Sequence, residues 1–199
     1  MFAARSNLWM FAMPSVALFL CAVLLLAALP GPVHAESGSG RTYPDGHGGE
    51  VFFPLGEVSF ADDVSAFEAG DPDGGDAFSR PGQALGIPDH ADGETRFVTL
   101  GCAGELVLSF SDNALIDVAG ADLYVFEIGP DVEATGLAIS NDGETGTRVG
   151  MISGGKAEVD IARYISGDES FRFVRLVDLK QACDSRTPGA DIDAVGAIG

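Results

Sequence analysis

The stretch LYVFEI, residues 123–128, is apolar at every position except Glu127. Successive residues of a β-strand face opposite sides, so a strand with one wet face reads as an alternation. This run has no wet side. It therefore predicts a central strand covered on both faces, and a chain that builds such a strand needs a layer on either side of it.

Further runs of strand length lie on both sides of this one. ELVLSF (105–110) alternates, with Leu106, Leu108 and Phe110 on one face, and FRFVRLVDL (171–179) is rich in β-branched and aromatic residues. Gly, Pro, Asp and Asn separate the runs from residue 51 onward. Short strands with turn residues every 8–12 positions predict an all-β sandwich or barrel. SNDGET (140–145) carries Asn-Asp-Gly between two apolar runs, which predicts a hairpin turn. Only AEVDIARYI (157–165) has room for two helical turns, and it reads equally well as a strand leading into a turn.

The run DIDAVGAI (191–198) raises a question of charge, because Asp191 and Asp193 stand two positions apart where an apolar strand begins. Buried carboxylates protonate, find partners or bind a cation. Acids recur at other strand boundaries: Asp89, Asp122, Glu127, Asp178 and Asp184. Carboxylates and loop carbonyls are the ligands that a hard cation takes. One reading therefore gathers Asp89, Asp122, Asp191 and Asp193 around a structural Ca²⁺, with Glu127, Asp178 and Asp184 as further ligands or supports. The other has the same acids capping turns and pairing with Arg172, Arg175, Lys180 and Arg186. GDPDGGDAF (70–78) also alternates acids, but Gly82 falls near the place of the bidentate glutamate of an EF-hand, so a solvated loop is the reading there.

Composition limits the partners. The formal net charge is −19, which repels nucleic acid and anionic lipid. Residues 1–35 hold one basic residue, Arg5, then a long apolar run and Val33 and Ala35 in a small-residue cleavage pattern. This is the form of a secretory signal peptide; an uncleaved anchor is the alternative, since the run is long enough to span a bilayer. Residues 36–49 are rich in Gly and Ser without periodicity and read as a flexible linker. Residues 50–199 read as one β-sandwich domain, without direct membrane insertion once the signal is removed. Cys102 and Cys183 are the two cysteines beyond the leader, and in an exported chain they predict a disulfide, with two free thiols as the alternative. Export places the protein in the periplasm, at the outer membrane or outside the cell.

Catalytic patterns are scarce. His47 and His90 are the histidines beyond the leader, too few for a three-His zinc site, and there is no HExxH or GxSxG. Glu127 could serve as one carboxylate of a glycoside hydrolase, but nothing in the sequence places a second. The expectation is that the protein is not an enzyme.

ALGIPD (84–89), FVTLGCAGELVLSF (97–110), GADLYVFEIG (120–129), ISNDGET (139–145), FRFVRLVDL (171–179) and GADIDAVGAI (189–198) follow one another in fixed order. Together they resemble an exported bacterial cell-surface domain, found in surface proteins with sorting signals and ahead of OmpA-type domains. The pattern is also similar to discoidin and other galactose-binding-like jelly rolls. The resemblance covers roughly residues 78–198 and implies an antiparallel jelly-roll β-sandwich used for binding or attachment. It also implies a structural calcium near one end of the sandwich. Asp89, Asp122, Glu127, Asp191 and Asp193 match its acidic positions. The aromatic that follows the SxDG turn in that pattern is missing, with Gly146 near its place.

These readings combine into a secreted or cell-surface, non-catalytic binding or structural module, with a cell-envelope protein or a glycan as partner. A lectin-like module is the alternative. Sugar recognition needs an aromatic platform, and Trp9 lies in the leader, which leaves Tyr43, Tyr124 and Tyr164 as the amphipathic aromatics.

Overall fold

Thirteen strands and two short 3-10 turns make up the fold in a computed structural model that describes residues 39–91, 93–130 and 132–199. The leader expected over 1–35 lies outside these residues. In chain order the strands are β1 (Arg41–Pro44), β2 (Glu50–Phe53), β3 (Asp63–Glu68), β4 (Val98–Thr99), β5 (Glu105–Ser109), β6 (Leu115–Ile116) and β7 (Leu123–Glu127). They continue with β8 (Val132–Ser140), β9 (Thr147–Gly154), β10 (Glu158–Val159), β11 (Ser170–Phe171), β12 (Phe173–Asp178) and β13 (Asp191–Ala197). One sheet has the order β3-β5-β12-β8-β9 and the other β10-β7-β13-β4, and every pairing is antiparallel. From β3 to β8 the strands of these two sheets alternate along the chain. That alternation is how a jelly roll is wound, and the chain is an all-β, antiparallel, jelly-roll-like sandwich, as its sequence leads one to expect.

The inner faces follow from strand alternation. Leu106 and Leu108 of β5, Val174 and Leu176 of β12, and Leu137 and Ile139 of β8 are all buried in one core with Leu123 and Val125 of β7. The other face of β7 carries Tyr124 and Phe126, which pack against aromatic rings from residues 43–60: Phe126 lies 5.9 Å from both Phe53 and Phe60, and Tyr43 lies 5.0 Å from Phe60. A third layer thus covers the four-stranded sheet, and that is why LYVFEI has no wet side.

This layer corrects the reading of 36–49 as a flexible linker over its described part, from residue 39 onward. Residues 41–44 pair with 50–53, and Tyr43 is buried. The Gly-rich composition belongs to the turn: Asp45 Oδ1 accepts from the backbone N–H of His47 and Gly49, an Asx-type turn that glycine accommodates. Residues 157–165 resolve as a strand, β10, running into a turn. Over 140–145 the expected hairpin forms, with Asp142 Oδ1 accepting from Glu144 and Thr145 N–H. Cys102 and Cys183 form the disulfide, closing a sequence separation of 81. Among the described residues, no helix is long and apolar enough to cross a membrane.

Candidate functional site

The four acids expected around one ion divide between two ends of the sandwich. In the β7–β13 pairing Leu123 stands opposite Ala197, and Glu127 opposite Ile192. Asp122 therefore sits at one end of the pair, and Asp191 and Asp193 at the other. At about 3.4 Å per residue, several residues of strand separate them, too far for a shared ion. Asp122 is fully buried, and its carboxylate accepts from Val118 N at 2.7 Å and Ile161 N at 2.8 Å. Burial raises its pKa, and those two donors oppose the rise. Its task is to pin two loops to the sheet.

Asp89 and Asp193 do lie near each other. Asp193 Oδ1 accepts from His90 N at 3.2 Å and Asp89 N at 3.4 Å, while the exposed Asp89 carboxylate pairs with Arg96 at 3.2 Å. Burial pushes Asp193 up to about 6, against the pull of these backbone donors. Asp191 does not share this loop. A bulge between Ile192 and Ala194 interrupts the strand, and Asp191 N donates to Glu127 Oε1 at 3.4 Å. Asp178 is buried and accepts from Ala103 N, Lys180 N and Ala190 N. Asp184 is exposed in the loop beside the disulfide. Arg172 and Arg175, expected to pair with acids, divide their contacts. Arg172 donates to the carbonyls of Phe110, Ser111 and Asn113, while Arg175 pairs with Glu105 at 3.2 Å and also reaches the Gly143 and Glu144 carbonyls.

A concavity with a volume of about 870 Å³ lies elsewhere, on the outer face of the five-stranded sheet. Its floor is made of small residues, Gly136 and Ala138 on β8 and Gly146 and Gly150 around β9. Its walls are Tyr164, Arg148, Arg175, Met151 and Leu179. Tyr164 leans over β9 so closely that a Cβ on Gly150 would stand 2.9 Å from its hydroxyl, and Gly150 also adopts φ +110, which disfavours any side chain there. Arg175 is tied down by its ion pair and two carbonyls, whereas Arg148 is exposed and makes no ion pair among the described residues.

Of the three tyrosines considered as platforms, Tyr43 and Tyr124 are buried and only Tyr164, at 39% exposure, offers a ring to a ligand. Glu127, the candidate acid of a hydrolase, is 2% exposed between the sheets and does not line this cleft. Sequence reasoning missed Arg148, Met151 and Leu179 because a cleft is a property of sheet curvature and of what flanks it. The available signal was the pair of small residues Gly136 and Ala138, two positions apart and so on one face of β8.

No family model and no curated protein matches the sequence. Among solved structures, a chain described as "CBM32 of AlyQ in complex with 4,5-unsaturated mannuronic acid" is similar over 69% of this chain and 96% of its own. The TM-score is 0.40 and the identity 13%.

Proposed function

We propose that the protein is an exported, non-catalytic binding module that takes a glycan in the cleft on the outer face of its five-stranded sheet. The observation that carries this reading is Tyr164. A half-exposed aromatic ring beside a floor of glycine and alanine leaves room for a sugar ring to stack, and binding clefts combine such apolar surface with a few placed polar groups. Arg148 and Thr145 supply donors at the same cleft. The leader pattern over 1–35 and the Cys102–Cys183 bridge support export, because disulfides persist in oxidising compartments.

Met151 and Leu179, exposed by 44% and 43% on the same face, favour a second reading in which an envelope protein docks there. A glycan array separates the two. The expected result is retention of a defined glycan class by the intact protein, with Tyr164→Ala weakening retention at least tenfold while the fold is preserved. Silence across the array together with capture of an envelope protein would favour the second reading. Release of new reducing ends from the bound glycan would overturn the non-catalytic assignment.

A further inference from the structure

Two ranks of side chains cross the outer face of the five-stranded sheet. Ala138 of β8 stands opposite Arg175 of β12 on one side and Arg148 of β9 on the other. Gly136, two residues earlier and so on the same face, stands between Val177 and Met151. All six residues line the cleft. The first rank is cationic and the second apolar. Leu179 adds to the apolar one, since a Cβ on Gly136 would stand 3.5 Å from Leu179 Cδ2. Strand spacing roots the two arginines about 10 Å apart, on either side of a methyl group, with the apolar rank about 7 Å along the strands.

The two arginines are not equivalent. Arg175 is occupied: Nη1 pairs with Glu105 at 3.2 Å, and Nη2 donates to the Gly143 and Glu144 carbonyls. Arg148 is exposed and has no acidic partner among the described residues. The same holds for Arg163, whose guanidinium lies 6.0 Å from the centre of the Tyr164 ring. The cleft's lining carries two arginines and two glutamates, in a chain with 30 acids against 11 bases. Of the glutamates, Glu105 is neutralised by Arg175, and Glu144 is exposed and pairs with neither arginine. The cleft is therefore a break in the negative field of the molecule, and it offers one unoccupied guanidinium fork. Such a fork suits an oxyanion, to which it donates two parallel hydrogen bonds.

We propose that the sugar taken in the cleft is an acidic one, whose carboxylate or sulfate ester pairs with Arg148 while its ring lies over the apolar rank beside Tyr164. This rests on the glycan reading given above and adds the chemical class of the sugar. Arg148 reads the charge, because Arg175 has its donors committed within the protein. Val177, Met151 and Leu179 meet the ring's C–H face, and they would serve a neutral sugar equally well, so the selection falls to Arg148. The formal charge of −19 opposes the approach of any anion. At physiological ionic strength that repulsion is screened beyond about 8 Å, whereas the contact with Arg148 is direct.

Calorimetric titration of the intact protein with three sets of oligosaccharides of matched length tests the proposal: uronic-acid-containing, sulfated and neutral. Tighter binding of either acidic set, at least tenfold over the neutral one, is expected, and the comparison of the two tells carboxylate from sulfate. Arg148→Gln should abolish that preference and leave the weak binding of neutral sugars within about twofold, and Arg148→Lys should restore part of it. Reducing the carboxylates of a bound oligosaccharide to alcohols should have the same effect on the parent protein as Arg148→Gln. Arg148 is exposed, so an unchanged melting temperature in both variants is the expected control. Equal affinity for acidic and neutral sugars, or a preference that survives Arg148→Gln, overturns the assignment while the glycan reading stands. Absence of binding in all three sets overturns both.

Discussion

At the residue scale, one constraint on the core is a hydrogen atom. Gly196 of β13 lies beneath two rings, and a Cβ there would stand 2.8 Å from Phe53 Cζ and 3.1 Å from Phe60 Cε1. Neither ring has room to retreat, since both are among the largest fully buried side chains. Gly196→Ala should therefore cost about 1–3 kcal/mol, as overpacking in a filled core does. A lower urea midpoint with an unchanged slope is the expected reading. In the sequence, Gly196 looks like an ordinary interruption of an apolar run. Its role depends on rings about 140 positions upstream, and no periodicity can bring those into register with it.

At the element scale, the β1–β2 hairpin carries the clearest difference between sequence and structure. Two buried rings anchor it: Phe53 packs against Phe60 and Phe126, and Tyr43, 3% exposed, meets Phe53 and Phe60 edge-on. Tyr43→Ala should cost about 3 kcal/mol, within the range for deleting a buried aromatic. It should also release the amides of residues 41–53 to hydrogen exchange, whereas a flexible linker would exchange freely in the parent protein too. The central strands were legible because LYVFEI and DIDAVGAI lack a polar face, and the β8–β9 turn because Asn-Asp-Gly names its own geometry. The hairpin was hidden because its strands are four residues each and Arg41, Thr42 and Glu50 break up any apolar run. Acids at strand boundaries were also legible, but their grouping was not. Sequence marks Asp122 and Asp193 alike as boundary residues, and only the antiparallel register shows that they stand at opposite ends.

At the scale of the whole molecule, the raised carboxyls tie stability to pH. Glu127, Glu133, Asp191 and Asp193 hold their protons in the folded state up to about 9, 7, 6 and 6, while the unfolded chain releases them near the ordinary value of about 4. Between those limits the folded state binds more protons, so stability falls as pH rises. In calcium-free buffer, chemical denaturation should give its highest midpoint near pH 5 and a progressively lower one toward pH 9. A midpoint rising across that range would mean that these groups ionise without cost. The pairing order of the four-stranded sheet has a further consequence. β13 lies between β7 and β4, both of which precede it in the chain. During biosynthesis those two strands therefore emerge with a gap between them, and β7 keeps an unpaired backbone edge until residues 191–197 have been translated. A nascent chain stalled before that point would display a sticky template to its neighbours.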